Sequence, residues 1–287
     1  MIKSLYQQKK TVFSLEVFPP KENTDITTIY HTLDSMKKLK PDFISVTYGA
    51  NGSTRHRTVD IASYIQNTCK VEAVAHLTCV ALDDTTLASY LEQLKNANVK
   101  NVLALRGDMP KDMTREAFDN RHFKYAKNLI QAIPKHPKGS VAAACYPEVH
   151  PESPNKDMDI SFLKEKVDAG ADFLITQLFF DNNIFYDFME RVHKVGISAP
   201  VSAGIMPITS ISQIQRIVTL SGSQVPTTLA RMLAKYQNNP EDVKKAGLEF
   251  ASTQINDLIQ NKVDGIHLYT MNKFETADTI LKNINKH

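Results

Sequence analysis

The sequence predicts an α/β protein of the (β/α)8 TIM-barrel class, a single domain over residues 1–287. Residues 1–10 form an N-terminal extension, and extra helices lie between strands seven and eight. Three observations predict this. Eight short apolar runs alternate with helical patterns along the whole chain. Strand ends recur at roughly 30-residue intervals, the length of one β-α unit. Polar and ionisable residues collect at one end of strand after strand, the mark of a site at the mouth of a parallel barrel.

The predicted strands are residues 13–18, 43–48, 72–79, 101–106, 140–146, 173–179, 200–205 and 265–269. Strand one, Phe13-Ser14-Leu15-Glu16-Val17-Phe18, carries an acid in an apolar run and is stopped by Pro19-Pro20. Its helix is marked by Ile26, Ile29, Tyr30, Leu33, Met36 and Leu39, one face at three- and four-residue steps. Strand two ends in Thr47-Tyr48-Gly49. Strand three holds His76-Leu77-Thr78, and Asp83-Asp84 can cap a helix through Leu87, Leu91 and Leu94. Strand four runs into Arg106-Gly107-Asp108 and a long polar loop, 109–121. Strand five runs into Tyr146-Pro147-Glu148 and a second long loop, 147–158. Long loops in compact domains tend to be functional or disordered. Asp159 opens a helix over 160–169, closed by Gly170. Strand six is apolar almost throughout, as a sheet covered by helices requires, and holds Gln177 in its middle. After strand seven come helical segments 211–220 and 227–236. A long helix then starts at Asn239-Pro240-Glu241-Asp242 and runs to about Asn261, with cap, proline and first-turn acids in order. Such extra length suits a lid or a subunit contact, so a homo-oligomer is expected. Strand eight ends in Tyr269.

A hydrophobic content of 42% and charged content of 23% describe an ordinary soluble protein. A net charge of +3 without a Lys/Arg block implies neither nucleic acid nor membrane binding. Residues 1–10 lack the apolar core of a signal peptide, so a cytoplasmic location is expected. Cys69, Cys79 and Cys145 are odd in number and far apart, which reads as reduced thiols. Cys79 and Cys145 lie in apolar runs, where a small buried residue is a commoner role than a nucleophile.

A carboxylate costs several kcal/mol to bury unpartnered, which makes Glu16 the leading candidate. It is either half of a buried ion pair with a neighbouring Lys or Arg, or a general acid whose pKa is raised by Phe13, Val17 and Phe18. Asp108 is an N-cap, a partner of Arg106, or a fixed negative charge beside a bound ring that Gly107 lets the backbone approach. His76 is a core histidine or a hydrogen-bonding group for a cofactor. With no His-x-x-x-His and no paired Cys, no metal site is expected. Asp159 and Lys166 are a cap and a solvated face, or a grip on ribose and phosphate. Gln177 suits a polar heterocycle or a hydrogen bond within the barrel. Without a glycine-rich fingerprint or phosphate loop, any nucleotide is held in neither of those ways. The rival readings are a flavin-free lyase or aldolase, which needs a Schiff-base lysine or a metal and finds no lysine in the eight strand runs, and a non-catalytic flavin- or folate-binding subunit, which does not need both Glu16 and Asp108.

In order along the chain, these motifs resemble the bacterial methylenetetrahydrofolate reductases. The matching pieces are Phe13-Ser14-Leu15-Glu16-Val17-Phe18-Pro19-Pro20, Val46-Thr47-Tyr48-Gly49-Ala50, Ala75-His76-Leu77-Thr78-Cys79, Ala104-Leu105-Arg106-Gly107-Asp108, Tyr146-Pro147-Glu148-Val149-His150-Pro151, Lys166-Val167-Asp168-Ala169-Gly170-Ala171, Thr176-Gln177-Leu178-Phe179-Phe180-Asp181, Gly204-Ile205-Met206-Pro207 and Tyr269-Thr270-Met271-Asn272. They cover nearly the whole chain from Thr11. The resemblance implies a barrel that holds FAD at its mouth. It implies ping-pong hydride transfer from NADH or NADPH to 5,10-methylenetetrahydrofolate, giving the 5-methyl product used for methionine synthesis, and no regulatory domain of the eukaryotic kind. It implies Glu16 as the acid that protonates the folate N10, and Asp108 as the charge near the flavin. Thr47, His76, Arg106, Gly107, Tyr146, His150, Asp159 and Lys166 would contact flavin. Gln177, Tyr269 and Lys273 would contact substrate. Four positions depart from the family pattern. Lys273 and Glu165 stand where arginines are expected, Phe162 where an asparagine is, and Ile211 where a phenylalanine is.

Overall fold

A computed structural model describes residues 1–48, 55–136 and 138–284; Gly49 and Ala50 of the strand-two motif lie outside them. Eight parallel strands close a barrel in sequence order. They are β1 (Val12–Val17), β2 (Phe43–Val46), β3 (Glu72–Thr78), β4 (Asn101–Leu105), β5 (Val141–Cys145), β6 (Phe173–Thr176), β7 (Val201–Ile205) and β8 (Gly265–Tyr269). β1 closes the ring against β8, with Glu16 level with Tyr269 on one side and with Ser45 on the other. The helices are α1 (Ile2–Gln8), α2 (Thr27–Met36), α3 (Arg55–Ser63), α4 (Asp84–Asn96), α5 (Arg115–Asp119), α6 (Ala126–Ala132), α7 (Lys156–Asp168), α8 (Asn182–Lys194), α9 (Ile211–Ser221), α10 (Thr227–Tyr236), α11 (Pro240–Gln260) and α12 (Phe274–Asn283).

The period-two alternation of the strands divides the core in two. Leu15, Val17, Ile44, Val46, Ala75 and Leu77 face outward into one cluster with the surrounding helices. Val12, Phe43, Val74, Leu103, Ala142, Phe173 and Ile175 fill the barrel interior with Ile2. On β1 this parity turns Ser14 and Glu16 inward. Removing one of the fully buried outward side chains, as in Leu15→Ala, costs about 2–5 kcal/mol.

Residues 1–10 are more than an extension. Helix α1 closes the N-terminal end of the barrel: Ile2 is fully buried, and the Tyr6 hydroxyl lies 2.8 Å from Ser202 Oγ. Lys3 pairs with Asp172 at 3.2 Å, and Lys9 pairs with Asp42. Ile2, Leu5 and Tyr6 have helical spacing, but over too short a stretch to mark a helix in the sequence.

Most predicted strands run past their true ends. Thr47, Arg106, Tyr146 and Gln177 stand just beyond β2, β4, β5 and β6, so Gln177 is a rim residue and not a mid-strand one. Asp159 does not open its helix. Asn155 does, accepting from the Met158 N–H at 2.9 Å, and Asp159 sits in the first turn of α7. The loop 109–121 contains α5, capped by Thr114. The long helix after strand seven forms as expected: Asn239 accepts from the Glu241 and Asp242 N–H groups, with Pro240 at the start. Helices α9 and α10 pack Ile214 and Leu229 against Leu178, Phe180 and Ile208 in a separate cluster that Tyr269 joins. The link between them is fixed to the rim, since Ser223 Oγ donates to the Leu178 carbonyl at 3.1 Å and Gln224 N–H donates to Glu148 at 2.8 Å.

Candidate active site

Glu16 projects into the barrel near the C-terminal end of β1. Among the described residues, no lysine or arginine pairs with it. Its Oε2 lies 3.4 Å from His76 Nε2 and 3.5 Å from His267 Nε2, and its side chain keeps 18% exposure. Phe13 and Val17 turn to the outer face of β1, away from the inward Glu16 side chain. Desolvation pushes the carboxyl up. The His267 hydrogen bond, the His76 and His267 charges and the Ser45 hydroxyl more than offset it, so the pKa falls below the usual glutamate value. The expected rise is therefore corrected to a net fall. His76 is 4% exposed, and burial pushes it down to about 4 although the Glu16 charge pulls the other way.

Asp108 stands three strands round the ring, exposed on the rim past β4. It is not an N-cap, and it is not the carboxylate that clamps Arg106. Glu152 clamps Arg106 in a two-pronged pair, with the second contact at 3.1 Å. The Asp108 charge acts instead on Arg106 and Tyr146. Burial pushes Tyr146 up to about 12, and Asp108 adds to that. Gly107 has φ +79, and a Cβ there would stand 2.9 Å from both Thr78 Cβ and Val80 Cγ2. Only glycine lets the backbone turn so tightly onto β3 here. His150 packs edge-on to Tyr146, ring centroids 4.7 Å apart, and its Nδ1 accepts from the Glu152 N–H at 3.0 Å. Arg106, Gly107, Asp108, Tyr146, His150 and Glu152 thus form one polar wall.

Lys166 and Asp159 of α7 adjoin that wall. Lys166 is not on a solvated face: its Nζ donates to the Ala144 carbonyl at 2.5 Å. Burial lowers its pKa, opposed by Cys145 and Asp159. Burial raises the Asp159 carboxyl, opposed by Lys166 and His150. Glu165, next to Lys166, pairs with Lys127 of α6, and Phe162, one turn earlier, is 42% exposed.

On the other side of the mouth, Thr47 donates its N–H to the Val17 carbonyl at 3.0 Å, and Gln177 donates its N–H to the Cys145 carbonyl at 2.7 Å. Tyr269 is half-buried at the end of β8. Lys273 caps α12 and is exposed, and Ile211 is the half-buried first residue of α9. The three thiols are buried, and burial pushes Cys79 and Cys145 up to about 12, which does not suit a nucleophile. Among the described residues, no group of three His, Cys, Asp or Glu side chains is placed to hold a metal, and no helix is long and apolar enough to cross a membrane.

Sequence reasoning missed four participants. His267 and Ser14 share the inward parity of Tyr269 and Glu16, a usable signal. Glu152 lay inside a loop without pattern. Asn272 stands in a run of two positive φ values, Met271 at 51° and Asn272 at 56°. Its amide brackets Phe18, accepting from the N–H at 3.0 Å and donating to the carbonyl at 2.8 Å, and so ties the loop after β1 to the loop after β8.

Comparison with known proteins bears on this site. Residues 1–285 match the family model described as methylenetetrahydrofolate reductase. The chain is 35% identical to methylenetetrahydrofolate reductase (NADH) 1 of Arabidopsis thaliana over 99% of its own length and 50% of that relative. It therefore spans about half the length of the plant relatives it matches. It is 32% identical to the 5,10-methylenetetrahydrofolate reductase of Escherichia coli over 93% of this chain and 88% of that one. Among solved structures, an uncharacterized Clostridium thermocellum protein that binds two copies of 5-methyl-5,6,7,8-tetrahydrofolic acid superposes with TM-score 0.66 at 14% identity. It covers 98% of this chain and 96% of that one, a likeness of fold alone.

Proposed function

This chain belongs to the methylenetetrahydrofolate reductase family, and we propose that it reduces 5,10-methylenetetrahydrofolate to 5-methyltetrahydrofolate with NADH or NADPH, using FAD at the barrel mouth. The observation that carries the reading is Glu16: an inward-facing carboxyl at the mouth, met by two histidines and, among the described residues, by no lysine or arginine.

The residues present fit a large polar heterocycle. Among the described residues, Thr78 Oγ1 is a buried polar atom without a hydrogen-bond partner and His76 Nε2 has only the long 3.4 Å approach of Glu16, and both lie at the mouth end of β3. The Gly107 turn brings backbone close to that strand. Thr47, His76, Arg106, Gly107, Asp108, Tyr146 and His150 would hold the ring system, and Asp159 and Lys166 the ribose and phosphates. When bound, FAD would accept hydride from the nicotinamide and pass it to the one-carbon unit. Glu16 would deliver a proton to the folate N10 and open its five-membered ring. Asp108 would favour the cationic folate that results, because its charge would lie near the ring and the Arg106 charge is already matched by Glu152. Gln177 and Tyr269 would orient the pterin, and exposed Lys273 the glutamate tail.

The test is one spectrum and one titration. The purified chain should show the oxidised-flavin band, and NADH should bleach it without oxygen. Methylenetetrahydrofolate should then restore it. A colourless protein that gains no band when FAD is added would overturn the reading.

A further inference from the structure

We propose that His267 is the positioning residue that keeps Glu16 a carboxylate while the barrel mouth is open, so that the proton is taken up from water only as a bound ring covers it. This rests on the reading of Glu16 as the folate acid.

The geometry is a polar column inside β1, β2 and β8. Ser14 Oγ lies 2.7 Å from His267 Nδ1, and Ser45 Oγ lies 3.4 Å from His267 Nε2. The imidazole is fully buried. It stacks on Phe43 at 5.9 Å between centroids and meets Tyr269 edge-on at 5.4 Å, so it cannot swing away. The Ser14 hydroxyl has one proton and two acceptors in reach, Nδ1 at 2.7 Å and the Ile266 carbonyl at 3.2 Å. In the neutral imidazole, donating to Nδ1 places the ring proton on Nε2, which then donates to Glu16; a charged ring donates from Nε2 in either case. Donating to Ile266 would leave an Nε2 lone pair facing the carboxylate, a repulsive arrangement while Glu16 is charged. The ionised acid therefore selects the first tautomer.

The hold is weak by design of distance: 3.5 Å from His267 and 3.4 Å from His76 are long contacts. The other titratable group facing the pair is Tyr269 from β8, whose pKa burial raises, with the Glu16 charge adding to it. Burial is the largest influence on Glu16 and acts against the charge. Loss of its remaining 18% exposure under a bound ring strengthens that influence, and the carboxyl takes a proton at the moment it is needed.

The experiment is carbon-13 NMR of the full chain labelled at glutamate carboxyls, with the Glu16 signal identified by its loss in Glu16→Gln. In His267→Phe the Glu16 midpoint should rise by about one pH unit, the worth of one hydrogen bond. His267→Gln, whose amide can still donate, should bring it part of the way back. Saturating 5-methyltetrahydrofolate should raise the wild-type midpoint. Nitrogen-15 spectra of the unmutated histidines test the same point without a variant, and the proton should sit on His267 Nε2. An unmoved midpoint in His267→Phe, or an Nε2 without a proton, would overturn the proposal. If the wild type fails to reduce folate while the midpoint still follows His267, the functional reading falls and the positioning role stands. If folate is reduced and the midpoint ignores His267, only the positioning role falls.

Discussion

The Tyr269 hydroxyl donates to the Thr176 carbonyl oxygen at 2.7 Å, reaching from β8 past β7 to β6. What lies beneath makes this possible. Gly204 of β7 has no side chain, and its N–H donates to Thr176 Oγ1 at 2.8 Å. A Cβ on Gly204 would stand 2.3 Å from the Thr176 carbonyl oxygen and 2.8 Å from the Tyr269 ring. Three adjacent strands are thus clasped at the mouth by one aromatic residue.

Gly204→Ala should therefore displace Tyr269 and cost about 1–3 kcal/mol, the usual cost of overpacking. Urea unfolding measures the loss. A variant as stable as the wild type would mean that the clasp is not tight.

His76 sets an acid limit on stability. Its folded pKa, about 4, lies below the unfolded value of 6.5. As pH falls below 6.5 the unfolded chain takes the proton first, so stability is lost down to about pH 4 and His76 adds no further loss below that. The full effect is about 3 kcal/mol. His76→Gln should flatten the pH dependence of unfolding free energy in this window. An unchanged slope would show that His76 protonates as readily folded as unfolded.

Much of the barrel was legible because its strands are buried on both faces and read as unbroken apolar runs. The same fact blurred their ends. Leu178 and Phe179 are buried by α9, α10 and α8 and not by strand pairing, so the apolar run continues past the true end of β6 at Thr176. Glu16 was legible as an anomaly, but its partners were not. His267 is 251 residues away and meets it only because β8 closes the ring on β1. A carboxylate in an apolar run announces a partner without saying which, and the reading of a raised pKa followed from imagining the sequence neighbours as the spatial ones.

Asn272 should prove disproportionate for an exposed loop. Asn272→Ala removes both bonds to Phe18 and places a less tolerant residue at φ 56°. We expect a loss of about 1–2 kcal/mol and faster amide exchange at Phe18. Unchanged exchange would mean that the two loops are not tied.

Arg106→Lys should weaken FAD retention. Lysine cannot reproduce the two-pronged pair with Glu152, so the wall beside Gly107 loses its brace. The expected result is about tenfold weaker FAD binding, about 1.4 kcal/mol, read by fluorescence titration. Equal affinity would show that the ion pair does not shape the site.

The most direct test of the account is Glu16→Gln followed by stopped-flow absorbance of each half-reaction. The account predicts flavin reduction by NADH near the wild-type rate, and reoxidation by methylenetetrahydrofolate slowed about 10²–10⁴-fold, the range of general acid catalysis. Reoxidation at the wild-type rate would contradict it.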